Sequence, residues 1–247
     1  MLLTSYSNFY FNFYLNFHFN YDCTIPLQTV RIIILLAYGR QLSRQRRVRI
    51  MSKIVYKYGS RYYINMTNRC PCKCTFCVRN ETPGLGDADS LWLDREPTAD
   101  EVKDALLALD LSSTEEIVFC GYGEPTERFD DLKEIAAFIH EKLKKRVRLD
   151  TNGLGSLING RDIVPEMKGL VDSVSISLNA KDAEEYLEVT RSKYGMESYQ
   201  AVLDFITECR KTVTGVTVSI VGGSIPQSSE DECALIAKRM NVAFRVR

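Results

Sequence analysis

From residue 51 onward the apolar positions alternate between two periods. Tyr62 to Met66 reads as a first strand. Thr98, with Glu101 three residues later, has the spacing of a helix N-cap with a capping box. Val102, Ala105, Leu106 and Leu109 then give the stripe of a buried helix face. Ile117 to Cys120 predicts a short strand, and Leu132, Ile135, Ala136, Ile139 and Leu143 a second helix. Val147 to Asp150 is strand-like. Ile163 to Leu170 predicts a short helix with Pro165 in its first turn. Ser173 to Leu178 alternates apolar residues with serines, and Lys181 to Thr190 is helical. Val202, Phe205, Ile206 and Cys209 mark a further helix, and Val216 to Val221 a strand. Cys233, Ile236, Ala237 and Met240 form the last stripe before a final strand, Val242 to Val246.

Strands alternating with helices predict a parallel sheet with right-handed crossovers. Six such units make either a doubly wound open sheet or an incomplete barrel, and spacing alone does not choose between them. In either case the chemistry belongs at the C-terminal strand ends. The unusual residues fall there. Cys70-Pro-Cys72-Lys-Cys74-Thr-Phe-Cys77 follows the first strand and Gly121-Tyr-Gly123-Glu124-Pro125 the second. Thr151-Asn152-Gly153 follows the third, Ser177-Leu-Asn179 ends the fourth, and Gly222-Gly223 follows the fifth.

The first fifty residues differ from this body. Asn8, Asn12, Asn16 and Asn20 recur every fourth residue, each followed by Phe or Tyr. The head holds six Arg, no Lys, one Asp and no Glu, so it carries +5 against −5 for the body. Such a repeat is expected of AT-rich DNA translated upstream of a true start, with Met51 as that start, or of a disordered extension. A signal peptide would open on positive charge before an apolar core; this head opens uncharged and aromatic. A membrane-surface anchor rests only on the Ile32 to Ala37 run and the basic residues after it. The domain expectation is therefore residues 1–50 as extension and 51–247 as one core domain.

Over all 247 residues, 32 basic side chains balance 32 acidic ones. A globally basic nucleic-acid binder is excluded; only the Arg-rich head and the stretch from Lys142 to Arg148 offer local basic surface. No apolar run approaches the ~18 residues that span a bilayer. Of eight cysteines, four lie between Cys70 and Cys77, which suits metal ligation better than a disulfide framework. Cys70-x3-Cys74-x2-Cys77 supplies three thiolates from one loop, leaving one iron of a 4Fe–4S cluster open to another group. Cys72 reads as a bystander and Cys120 as a buried core thiol. A structural zinc would draw two ligand pairs from separate segments, and no second pair exists in the sequence.

The Cys-x3-Cys-x2-Cys motif, with Phe76 before its last cysteine, resembles the signature of the radical S-adenosylmethionine (SAM) enzymes. Gly121-Tyr-Gly-Glu-Pro resembles their second motif, and Thr151-Asn152-Gly153 their third-strand ending. The wider string from Tyr63-Ile-Asn-Met-Thr-Asn-Arg-Cys70 to Phe244-Arg-Val-Arg resembles the TatD-associated subgroup. The resemblance covers the body and implies a partial (β/α)6 barrel. It implies that Cys70, Cys74 and Cys77 hold a 4Fe–4S cluster whose open iron is chelated by S-adenosyl-L-methionine. Glu124 would accept a hydrogen bond from the methionine ammonium, with Gly123 letting the backbone approach. Ser177 and Asn179 would reach the ribose hydroxyls, and Asn152 would orient the ligand. Arg191 would pair with the methionine carboxylate, and Phe76 would shield the cluster. A flavodoxin or ferredoxin would supply the electron, which breaks the sulfur–C5′ bond and yields a 5′-deoxyadenosyl radical. The chemistry implies a reducing, cytoplasmic setting.

The segment Glu81 to Glu96, with the sole Trp92, is the expected substrate-contacting flap. With Arg247 directly after the sixth strand, an open site and a bulky substrate, a protein or a nucleic acid, are expected. Two other classes stand beside the enzyme: a non-enzymatic zinc or iron–sulfur protein, and a nucleic-acid-associated module.

Overall fold

A computed structural model describes residues 36–37 and 53–247. The expectations for residues 1–50 lie outside the described residues, apart from Leu36 and Ala37. Residues 49–247 form a compact unit of their own. Its sheet has seven strands: β1 (Val55–Tyr58), β2 (Arg61–Ile64), β3 (Glu116–Phe119), β4 (Arg146–Thr151), β5 (Ser173–Ser177), β6 (Gly215–Ile220) and β7 (Ala243–Val246). Their spatial order is their chain order, and β2 to β7 are parallel throughout. A doubly wound sheet reverses its order at a switch point. This one never reverses, so its crossovers all advance in one direction and leave one face of the sheet uncovered by them. That is the topology of a barrel, and because β7 pairs only with β6 the barrel stays open.

The edge strand β1 was not expected. It pairs antiparallel with β2 through a two-residue turn at Gly59-Ser60, with Tyr58 opposite Arg61. Gly59 takes φ +61°, the conformation tight hairpin loops require at their first central position. The Gly-Ser pair between two short aromatic and β-branched runs was the available signal.

Among the described residues six α-helices connect the strands: α1 (Ala99–Leu107), α2 (Phe129–Phe138), α3 (Gly155–Asn159), α4 (Ala183–Thr190), α5 (Glu197–Thr212) and α6 (Gln227–Arg239). The capping box on α1 is complete: Glu101 N–H donates to Thr98 Oγ1 at 3.2 Å, and Thr98 N–H to Glu101 Oε2 at 3.0 Å. The helix expected over 163–170 shrinks to one 3₁₀ turn, Val164–Met167, with Pro165 at its start. One alternate set of strand residues, including Ile64, Ile117, Leu149, Ile176 and Ile220, is fully buried beneath the helices. Each such side chain contributes roughly 1.5–3 kcal/mol by leaving water. The opposite set is polar: Arg148 and Asp150 on β4, Ser175 and Ser177 on β5, Thr217 and Ser219 on β6. The helix-covered face is thus the core, and the inner face holds the chemistry.

Candidate active site

The cysteine loop is fixed by backbone bonds to its surroundings. Lys73 N–H and Thr75 N–H donate to Thr190 O and Val189 O, each at 2.9 Å, and Lys193 N–H donates to Pro71 O at 2.9 Å. The loop therefore docks along the C-terminal end of α4. On its other side Glu124 N–H donates to Arg69 O at 2.8 Å, which joins it to the glycine turn. A Cβ on Gly123 would lie 2.3 Å from Thr67 O and 2.6 Å from Arg69 O. Glycine is required there because two backbones touch. Gly121 is similarly pressed, with a Cβ 2.1 Å from Asn65 Oδ1.

These segments surround a cavity of about 550 Å³. Cys70, Cys74, Cys77, Phe76, Gly123, Glu124, Asn152, Ser177 and Asn179 all line it. The three cysteines are half-buried. Cys72 also borders the cavity but is buried, with its thiol in hydrogen-bond reach of both Cys70 and Cys74. That contact pulls the Cys70 and Cys74 thiols below their ordinary value, whereas burial pushes Cys77 up. Asn152 Nδ2 also points at Cys70 Sγ, 3.8 Å away. Among the described residues no three His, Cys, Asp or Glu side chains converge on one metal point. Three thiolates placed around a cavity suit a multi-iron cluster, which takes one ligand per iron, better than a single zinc ion.

Glu124 is buried, 4% exposed, and fully organised. Its Oε1 accepts from Thr126 N–H at 3.2 Å and from the Thr126 and Thr151 hydroxyls at 2.7 Å each. Its Oε2 accepts only from Asn152 N–H at 2.8 Å. Among the described residues no cation pairs with it, and burial raises its pKa above the usual carboxylate value. A buried acid with a free lone pair and no counter-ion fits an incoming ammonium. Asn179 is also poised for a ligand. It lies just past β5, not on it, at φ +60°, a conformation Asn tolerates. Its Oδ1 is buried with no partner, as an acceptor awaiting a hydroxyl would be. These features fit a 4Fe–4S cluster with S-adenosylmethionine.

Arg191 stands apart from this cavity. It is exposed and closes α4 at φ +48°, its N–H donating to Leu187 O at 2.9 Å. The chain around it serves as the dock for the cysteine loop, which leaves the guanidinium outside. Cys120 also departs from expectation: it lines the cavity instead of the core, and burial pushes its thiol up to about 12. The segment Glu81 to Glu96 is anchored. The Tyr122 hydroxyl donates to Thr82 O, Asn65 Nδ2 donates to Leu91 O at 2.7 Å, and Trp92 packs edge-on to Tyr122 at 5.2 Å. Of that segment only Glu81 reaches the cavity.

The stretch from Lys142 to Arg148 is not one basic surface, since Arg148 turns inward to Asp150 at 2.7 Å. Asp150 and Arg247 line the cavity and were not expected. For Asp150 the available signal was Arg148 and Asp150 at alternate positions of the otherwise apolar run Val147 to Asp150. Arg247 Nη2 donates to Ser177 Oγ at 2.9 Å, so Ser177 is already engaged.

Residues 64–232 match the Radical SAM superfamily. The chain belongs to this superfamily. Its members are enzymes that use a 4Fe–4S cluster and SAM. It is 35% identical over 136 residues to the GTP 3′,8-cyclase of Corynebacterium glutamicum, covering 52% of this chain and 33% of that protein. The chain thus spans about a third of the length of that curated relative. Among solved structures it resembles a radical SAM methyltransferase from Sphaerobacter thermophilus, with a TM-score of 0.57 at 16% identity over 78% of this chain and 57% of that one. It also resembles Streptococcus suis SuiB bound to S-adenosylmethionine, with a TM-score of 0.55 at 13% identity over 92% of this chain and 46% of that one. These likenesses support the fold of a radical SAM barrel. No helix among the described residues is long and apolar enough to cross a membrane.

Proposed function

We propose that this chain uses Cys70, Cys74 and Cys77 to hold the cluster, and that it acts on a bulky substrate, a protein or a nucleic acid, in the manner of the TatD-associated subgroup. Convergence of the cysteine loop, Glu124 and the unpartnered Asn179 on one cavity carries the site assignment. The cluster that Cys70, Cys74 and Cys77 would hold would supply reductive cleavage of the SAM sulfonium bond, and with it the radical chemistry that removes a hydrogen atom from substrate. Glu124 receives the methionine ammonium on Oε2, held by Asn152 N–H and the two threonines. Asn179 and Ser177 receive the ribose hydroxyls. Phe76 shields the cluster side, and Asn152 steadies Cys70. Arg191 reaches the methionine carboxylate only if its exposed side chain folds back over the loop. The open β7 side leaves room for a substrate whose own surface excludes water on docking. A flavodoxin or ferredoxin supplies the electron, in a reducing, cytoplasmic compartment.

Anaerobic reconstitution with iron and sulfide, followed by assay for 5′-deoxyadenosine with and without cell extract, tests this. The expected preparation is brown, and its cleavage of SAM is stimulated by a macromolecular fraction. A colourless preparation with stoichiometric zinc and no cleavage would refute it. Stimulation that follows only the dialysable fraction would refute the bulky substrate.

A further inference from the structure

The open edge of the sheet carries two guanidinium groups with no carboxylate of their own. Arg245 and Arg247 are two residues apart at β7, so both face the polar interior. Arg245 Nη2 donates to Ser175 Oγ at 3.4 Å and Arg247 Nη2 to Ser177 Oγ at 2.9 Å. Those are their only side-chain hydrogen bonds among the described residues, although each guanidinium has several donors in a planar fork. The one carboxylate of this layer, Asp150, is taken by Arg148 at 2.7 Å and lies in the field of all three arginines. Glu124 makes its four hydrogen bonds elsewhere and pairs with none of these arginines. Among the described residues this face therefore sets three guanidinium groups against one carboxylate, which Arg148 already holds. An anion bound there would balance this excess of positive charge through charge-assisted hydrogen bonds.

A second observation lies in the same row. By register Ser219 sits opposite Ser177 on one side and Arg245 on the other. Its hydroxyl is completely buried and has no hydrogen-bond partner. Guanidinium forks and a free hydroxyl are the donor groups that recognise a carboxylate or phosphate.

We propose that Arg245, Arg247 and Ser219 form a subsite for an oxyanion, a carboxylate or phosphate, borne by the substrate. The other source of such a group is the methionine carboxylate of SAM. That group belongs at the open iron beside the cysteine loop, whereas Arg245 is bonded to Ser175, one pleat below the strand end. The subsite rests on the proposed function only in assigning the oxyanion to the substrate; anion binding itself does not require the cluster.

Isothermal titration of the reconstituted full chain with inorganic phosphate and with sodium acetate, at constant ionic strength, tests the subsite. Each titration is run with and without saturating SAM. One of the two anions should bind in both states. Arg247→Gln should weaken it by about 10- to 150-fold, the loss of one charged hydrogen bond. Arg247→Lys, which keeps the charge and loses the fork, should fall between, and Arg245→Gln supplies an independent variant. Melting curves confirm that each variant is folded. No heat from either anion on the wild type, or equal affinity in the Arg245→Gln/Arg247→Gln double variant, would overturn the subsite. Competition between SAM and the anion, with Arg247→Gln weakening both alike, would transfer it to the cofactor and overturn the substrate assignment. Anion binding through Arg247 in a preparation that never cleaves SAM would refute the proposed function and leave the subsite standing.

Discussion

Replacing Glu124 with Gln tests the centre of the site with almost no change of shape. The wild-type carboxylate has its Oε1 filled by three donors, and its Oε2 holds only Asn152 N–H at 2.8 Å. An ammonium at Oε2 gains a charge-assisted hydrogen bond that an amide does not provide. Its loss should weaken SAM binding by about 1.5–3 kcal/mol, or roughly 10- to 150-fold. The pH dependence has a definite sign. Burial raises the folded pKa of Glu124 above its ordinary value. The stability this contributes is present below the unfolded pKa and lost as pH rises through the folded one. The bound ammonium favours the ionised form instead. Affinity should therefore rise with pH through the raised carboxyl pKa, and this step should vanish in Glu124→Gln. Relative to wild type, the ligand-free Gln variant should also gain stability as pH rises. Anaerobic titration calorimetry across pH 4–9 on cluster-loaded protein measures affinity, and thermal melts measure stability. Unchanged affinity, or the same pH step in the Gln variant, would refute the assignment and leave Glu124 as a structural clasp for the glycine turn.

Alanine at Cys70, Cys74 or Cys77 should abolish iron uptake and the brown colour, whereas Cys72→Ala should retain both; equal loss in all four variants, read by iron and sulfide analysis, contradicts the ligand set. Gly123→Ala forces a Cβ to within 2.3 Å of Thr67 O and 2.6 Å of Arg69 O, so it should cost roughly 1–3 kcal/mol by chemical denaturation. Thr98→Ala removes the bond that caps α1 and should cost about 1 kcal/mol; no shift in the denaturation midpoint would mean that the cap contributes nothing. Trp92 is the sole tryptophan and packs on Tyr122 at 5.2 Å, so Tyr122→Ala should red-shift its fluorescence as the anchored loop loosens.

The cysteine motif was legible because its members lie within one loop of eight residues, where spacing is geometry. The capping box of α1 and the apolar stripes were legible for the same reason: helical neighbours are three and four residues apart in sequence. The placing of five polar segments at strand ends required only the alternation of strand and helix. The choice of barrel over doubly wound sheet did not follow from that alternation. It depends on which strands pair, and the unreversed order from β2 to β7 is a long-range fact. Register then decided which alternates face inward. A one-residue change would exchange the whole set, so Asp150, Arg245, Arg247 and Ser219 became a single layer only once four strands were aligned. The same alignment brought Cys120 to the cavity. Arg191 shows the opposite limit. Its position after α4 was correctly read from the sequence, but the backbone around it is occupied in docking the cysteine loop, and only the packed structure turns its side chain to solvent. Local chemistry was thus written in local spacing, and the company each residue keeps was settled by pairing across the sheet.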